Sequence, residues 1–419
     1  MSAVVEKTPL RRQGEQAKSA AAVLAQIPGD VRRAALRAMA DALDAQAGRL
    51  VAVNEEDVEA ARGTLTKALV DRLTLTPARL ADMSSGLRTI TEQPDPVGEV
   101  VEEWTRPNGL KITKVRRPIG VVSVIYEARP NVTADVAGLC IMSGNAVILR
   151  GSSAALRTNV CIAGILVEAA TKAGLPEHAI QLVEDVSRES AVELMQLKGL
   201  IDLIIPRGGP ALIASIEQNA TVPYIIDGDG NCHVYVDRAA EPEMATEIIV
   251  NAKTSKPSVC NAAETLLVHS ELADSWLPGA LDALKGKGVE IRGDQTVCRV
   301  WPDAVPATEQ DWGTEYLDLI LAVRVVEGIE EAIEHVNRWG TSNAEAIVTG
   351  DREAARMFTG QVDSGTVFVN ASTRFSDGGQ FGYGAEIGIS TQKLHARGPL
   401  GLRELTSCGY VVWGSGQVR

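Results

Sequence analysis

The sequence predicts an α/β protein with two parallel-sheet domains and a small attached β-ribbon, and three observations carry that expectation. From residue 119 onward, short and nearly continuous runs of Val, Ile and Leu alternate with helical patterns, as in strands buried on both faces. A second series of the same kind follows residue 260. Ahead of both, Val100–Thr105 and Leu110–Val115 alternate polar with apolar residues around Pro107-Asn108-Gly109, a turn that joins hairpin strands.

The chain begins with helical patterns over roughly residues 10 to 92. Pro28-Gly29-Asp30 opens a helix in which Val31, Ala35, Met39 and Leu43 recur every four residues, while Arg32, Arg33, Arg37 and Asp41 take other faces. This is a packing layer. The ribbon over residues 99–117 needs a surface to pack on, because two strands alone are marginal. The first parallel series has strands at 119–126, 145–150, 179–183 and 201–205, with helices starting at Thr133, Ser152, Ser187 and Gly208. Such a sheet binds ligands beyond the carboxyl ends of its strands. The second series has strands at 265–269, 317–326, 344–348 and 365–370, and Cys408–Trp413 reads as a last strand. Cys260 falls close to where the two series meet, so the expected site is a cleft between domains.

Composition narrows the function. A chain of 419 residues with 45% hydrophobic and 23% charged residues has room for two or three full cores. Its net charge of −13 argues against nucleic acid or an anionic membrane as the general partner. No apolar run approaches the roughly 20 residues of a membrane span. Six cysteines without a CxxC pair or a signal-peptide pattern read as reduced thiols of a cytoplasmic protein, and the five scattered histidines suggest no metal site.

Cys260 is the candidate nucleophile. It follows Lys253-Thr254-Ser255-Lys256-Pro257, and positive charge beside a thiol favours the thiolate. Cys140 and Cys161 lie in apolar helical patterns and Cys232 precedes a strand, which suits buried small side chains. Arg129 and Asn131 follow the first parallel strand, where a guanidinium fork suits a carboxylate or phosphate and Asn131 also suits a helix cap. No GxGxxG follows a strand. Two other turns compete for a phosphate: Pro206-Arg207-Gly208-Gly209 opens a helix, and Arg150-Gly151-Ser152-Ser153 ends a strand. Either is equally a plain turn or cap.

Taken together, Ile125–Asn131, Ser143–Gly151, Pro206–Gly209, Gly228–Asp237, Ser255–Ala262, Gly384–Thr391 and His395–Gly401 resemble the aldehyde dehydrogenase superfamily over essentially the whole chain. Within it they are most similar to the branch that reduces an acyl phosphate, glutamyl 5-phosphate. The resemblance implies a cofactor-binding domain (residues 1–98 and 118–234), a catalytic domain (235–403) and an oligomerisation flap (99–117 and 404–419). It places Cys260 as the nucleophile that forms a thioester. It gives Arg129, Lys253, Ser255 and Lys256 to the substrate, and Arg150, Ser152, Ser153, Arg207, Gly208, Gly209 and Glu315 to the cofactor.

Departures from the wider superfamily sharpen this expectation. The Glu that activates water in hydrolytic relatives has no counterpart in Ile226-Asp227-Gly228-Asp229, so the thioester is kept for reduction. The NAD-type Lys-Pro-x-Glu is replaced by Arg150-Gly151-Ser152-Ser153, which removes a carboxylate that would repel a 2′-phosphate and points to NADP(H). The relatives' oxyanion-holding Asn aligns with Glu127, so that role passes to Asn131 or to the Cys260 N–H. The resemblance further implies a homodimer or homotetramer and functional contact with glutamate 5-kinase. A reductase of the same fold acting on a CoA thioester, or an inactive scaffold, are the rival readings.

Overall fold

The computed structural model describes residues 8–226 and 228–419. The described chain falls into two units: residues 8–226, 382–388 and 400–419 form one, and residues 228–381 and 389–399 form the other.

In the first unit the N-terminal layer consists of helices Pro9–Leu24, Gly29–Ala45, Ala47–Ala61, Lys67–Leu73 and Pro77–Glu92. Thr8, Thr66 and Thr76 accept hydrogen bonds from backbone N–H groups of the first turn, and Pro9 and Pro77 supply the preset φ of a helix start. Helix Gly29–Ala45 buries Ala35, Leu36, Met39, Ala40 and Leu43, and it also buries Arg32, which its spacing placed on another face. That guanidinium pairs with Asp95 at 2.8 Å and donates to the carbonyls of Ile27 and Met142, so its charge is compensated rather than solvated. Ser153–Lys172 is long and apolar enough to cross a membrane by composition alone; half of it is buried, and its helix packs on Gly29–Ala45 and Ala47–Ala61 as a core element.

A four-stranded parallel sheet completes this unit in the order Ile180–Leu182, Ala146–Arg150, Val121–Tyr126, Leu203–Arg207. The first strand in sequence lies inside the sheet, with the second on one side and the fourth on the other. The strand order therefore reverses at the carboxyl end of Val121–Tyr126, the kind of place where such sheets bind ligands. The ribbon Val100–Thr105 and Lys111–Pro118 pairs antiparallel and gains a third strand, Thr406–Trp413, running from Thr406 opposite Pro118 to Trp413 opposite Lys111. The surface the ribbon needed is thus supplied by its own C-terminal segment. Gly109 turns the ribbon at a φ of 86°, which residues with a Cβ rarely adopt.

The second unit is built on seven strands in the order Val305–Pro306, Glu290–Gly293, Ile320–Val326, Ala263–His269, Cys232–Val236, Ala344–Val348, Thr366–Val369, all parallel. Alternate residues serve opposite faces. Val234, Val236, Leu266 and Val268 pack with Ile249, Leu277 and Leu281, while Tyr235, Leu267 and Ile347 pack with Val336 and Phe358. Both faces are therefore covered, which is why these strands read as continuous apolar runs.

Candidate active site

Cys260 stands in the turn between helix Pro242–Thr254 and strand Ala263–His269 of the second unit. Pro257 cannot continue the helix, and the chain reverses through Pro257–Ala262 with the Ala262 N–H donating to the Val259 carbonyl at 3.0 Å. The thiol is partly exposed. Cys260 lies three residues ahead of its strand, at the amino edge of the seven-stranded sheet. Asn231 immediately precedes strand Cys232–Val236, and Asn343 precedes Ala344–Val348, so these residues share that edge.

The backbone of Cys260 is held closely from below. A Cβ on Gly230 would come within 1.7 Å of the Cys260 carbonyl oxygen, so only glycine fits there. The Cys232 thiol also donates to that oxygen, at 3.2 Å. The Gly230 N–H in turn donates to Glu315 Oε1 at 2.8 Å. The structure thereby brings Glu315, expected on the cofactor ribose, to the glycine against which Cys260 rests.

Lys253 is placed differently from its expected role at the substrate. It is fully buried, and its ammonium pairs with the equally buried Glu264 carboxylate at 2.6 Å. Burial pushes the Glu264 carboxyl up to about 7 against the pull of Lys253, and lowers the Lys253 ammonium below its ordinary value. The other Glu264 oxygen accepts from the Leu317 N–H at 3.2 Å, and Leu317 holds a left-handed φ of 55°. That conformation is unfavourable for a leucine. The pair therefore fixes the turn carrying Glu315. The cation that does face solvent on this loop is Lys256, which forms no ion pair among the described residues. Ser255 is exposed, and its hydroxyl accepts from Arg374 Nε at 3.2 Å.

Behind this edge lies a polar layer that sequence reasoning missed. The Asn231 amide donates to the carbonyls of Trp312 at 2.7 Å and Trp339 at 2.8 Å, tying two loops to the Gly230 turn. The His233 N–H donates to Glu345, and the rings of His233 and His335 stand 5.4 Å apart. The one sequence signal for this layer is the polar run Gly228–His233 leading into an apolar strand. Of the segment Ile226–Asp229, Asp227 lies outside the described residues and Asp229 is exposed.

Apart from Glu315, the expected cofactor residues sit in the first unit, at the carboxyl edge of its sheet, with Asn131 and Arg129 at the same edge. Asn131 opens helix Asn131–Met142, and its amide donates to Asp135 at 3.0 Å; desolvation lifts the Asp135 carboxyl to about 6, opposed by Asn131 and by the charge of Arg207. Arg129 is half-buried just before that helix. At the Arg207-Gly208-Gly209 turn the Gly209 N–H donates to Glu127 at 3.3 Å, so a carboxylate occupies the helix start expected to meet a phosphate. Arg150 also departs from expectation. Its guanidinium donates to the Val186 and Ser187 carbonyls at 2.8 Å, bracing a neighbouring loop. The Ser152 hydroxyl is buried without a hydrogen-bond partner, and Ser153 is exposed beside it.

Two parallel-sheet units, one whose strand order reverses at Val121–Tyr126 and one presenting a cysteine on a glycine-backed turn, define an aldehyde dehydrogenase architecture. The sequence profile of the aldehyde dehydrogenase family matches residues 5–296 and 304–393, and the chain belongs to that family; it is an enzyme. Its relatives include the gamma-glutamyl phosphate reductase of Caldanaerobacter subterraneus subsp. tengcongensis, 55% identical over 408 residues that cover 97% of this chain and 99% of the relative. That of Thermobifida fusca is 52% identical over 411 residues, covering 98% of each. The crystal structure of gamma-glutamyl phosphate reductase from Thermotoga maritima superposes with a TM-score of 0.96 at 44% identity, covering 98% of this chain and all of that one.

Proposed function

We propose that the protein reduces glutamyl 5-phosphate to glutamate 5-semialdehyde and phosphate with NADPH, a step of proline biosynthesis from glutamate. The observation that carries this reading is Cys260, partly exposed on a turn clamped by Gly230 and Cys232, in a chain similar from end to end to enzymes of that name. In the proposed chemistry the Cys260 thiolate attacks the acyl carbon, the C–O bond to phosphate breaks, and a glutamyl thioester remains on Sγ. The nicotinamide cofactor supplies two electrons as hydride when bound. The resulting thiohemiacetal loses Sγ as thiolate and releases the aldehyde. Lys256 is suited to favour the thiolate and to draw in the phosphate, since it is the exposed cation of the loop.

For the cofactor, the unpartnered Ser152 hydroxyl and the exposed Ser153 fit an oxygen-rich ligand at the end of strand Ala146–Arg150. The same segment lacks a carboxylate that would repel a 2′-phosphate, which favours NADP(H). Glu127 on Gly209 fits a phosphate less well, so the Gly208-Gly209 turn is the weaker part of the expected set. We also read the three-stranded ribbon as the subunit contact of a homodimer or homotetramer in the cytoplasm, with glutamate 5-kinase as the functional partner. Exposed Tyr410, Val412 and Trp413 on its edge strand support the subunit contact.

The test is phosphate-dependent reduction of NADP+ with glutamate 5-semialdehyde. Cys260→Ser should lower the rate at least about a thousandfold while leaving the melting temperature near that of the unaltered protein. A fully active Ser variant rejects the thioester, and turnover that needs CoA instead of phosphate rejects the substrate.

A further inference from the structure

One cation near Cys260 has no assigned role. Arg374 lies in the short turn Thr373–Ser376, whose Thr373 and Ser376 are fully buried. That turn is clipped to Asn261, the residue after the nucleophile. The Thr373 hydroxyl donates to the Asn261 carbonyl at 2.7 Å, and the Asn261 amide donates to the Ser376 hydroxyl at 3.1 Å and to the Arg374 carbonyl at 3.5 Å. On the other side of Cys260 in sequence, Ser255 accepts from Arg374 Nε at 3.2 Å. Arg374 therefore bridges both flanks of the Cys260 loop.

Its charge is uncompensated. Arg292, Arg324 and Arg397 of the same unit hold carboxylates of Asp311, Glu331 and Asp363, whereas Arg374 has no ion pair among the described residues. With Nε used by Ser255, the two terminal nitrogens keep four N–H donors in the planar fork that matches two oxygens of a carboxylate or phosphate. A lysine could not be fixed at its root in this way.

We propose that Arg374 binds an oxyanion of the substrate at the Cys260 loop, with Ser255 as the residue that orients it. This rests on the reading of Cys260 as nucleophile and deepens it. The substrate class carries two such groups, the acyl phosphate and the α-carboxylate, and both present the same chemistry to the fork.

The experiment has one arm that needs no turnover and one that does. Cys260 alkylation is followed by peptide mass analysis with anionic iodoacetate and neutral iodoacetamide. Arg374→Ala should lower the iodoacetate-to-iodoacetamide rate ratio about threefold or more, with Arg374→Lys retaining most of it, because the anion loses its attracting charge. In the phosphate-dependent direction, Arg374→Ala should raise one KM about tenfold or more, the range for losing charge-assisted hydrogen bonds. A rise in the KM for phosphate identifies the acyl phosphate as the ligand, and a rise in the KM for glutamate 5-semialdehyde identifies the carboxylate. A wild-type alkylation ratio, or both KM values unchanged, overturns the proposal. Absence of turnover in the unaltered protein would reject the substrate reading alone, since the alkylation arm still reports on Arg374.

Discussion

In the four-stranded sheet the expected phosphate-binding turns stand where strands end, and in the seven-stranded sheet Cys260, Asn231 and Asn343 stand where strands begin. At the first edge, helices start: Asn131 opens one helix, and Gly209 precedes another that follows its strand directly. Free N–H groups point outward there, and the helix dipole favours anions. At the second edge, helices finish. Pro242–Thr254 ends six residues before Cys260, and Ile329–Trp339 ends just before the strand led by Asn343. Carbonyl groups close that edge, so a thiolate there receives no help from a helix start. On the proposed nucleophile reading side-chain cations supply the positive charge, and Lys256 and Arg374 are placed for it.

The largest test of this contrast concerns the pair behind the second edge. Lys253 and Glu264 are both wholly buried, and removing one partner leaves the other charged without compensation. Glu264→Leu should destabilise the protein by about 3–5 kcal/mol, whereas the double change with Lys253→Met should recover most of that loss. Thermal unfolding of the three variants checks it. If the double variant regains stability but keeps low activity, the pair serves the Leu317 turn and Glu315 rather than the fold. If Glu264→Leu alone unfolds like the unaltered protein, the buried pair has no such role.

A smaller effect is expected at the first edge. Glu127 spends its carboxylate on the Gly209 N–H, at a helix start that otherwise favours phosphate. Glu127→Gln should cost about 0.3–1 kcal/mol of stability, the range for losing a helix-start charge. On the proposed cofactor reading it should also tighten NADPH binding roughly two- to fivefold by removing a competing charge. Fluorescence titration with NADPH measures it. Weaker binding would mean that the carboxylate holds the cofactor in place and that this edge is not an anion site.

The two edges also differ in how far sequence reveals them. The strands of the first sheet were legible because each is a short apolar run set off by helix signals. The rule that such sheets bind ligands where strands end points, for the second sheet, to the carboxyl edge, whereas Cys260 stands at the amino edge and is singled out only by its own neighbours in sequence. Strands Glu290–Gly293 and Val305–Pro306 were missed because four and two residues carry no usable period. Side-chain destinations were the least legible. Nothing local tells that Lys253 will meet Glu264 in a dry interior, or that Arg150 will reach carbonyls 36 and 37 residues away, since both depend on packing between distant segments. Arg374 escaped notice for the same reason: it lies 114 positions beyond Cys260 in sequence and reaches that loop only through the fold.

The finest discrimination comes from titration, where the two units carry groups of opposite sign. Desolvation raises Asp135 from 3.8 to about 6, so its contribution to stability is full below pH 3.8 and is lost as pH rises through that window. Burial, together with the charges of His233, Arg324 and Arg338, lowers His335 from 6.5 to about 2; Arg324 donates to its Nδ1 at 3.1 Å, so the ring has no place for a second proton. Its contribution is full above pH 6.5 and is lost as pH falls. Between pH 4.5 and 6 the two oppose each other. Relative to the unaltered protein, Asp135→Asn should make stability rise more steeply with pH, and His335→Gln should make it rise less steeply. The His335 effect should approach 1.4 kcal/mol per pH unit, roughly the limit for one fully coupled proton, and the Asp135 effect should be shallower because its folded-state value of about 6 lies at the edge of this range. Calorimetric melting at half-unit steps across this range checks both. Variants whose profiles run parallel to the unaltered protein would show that neither group is held in the state its surroundings dictate.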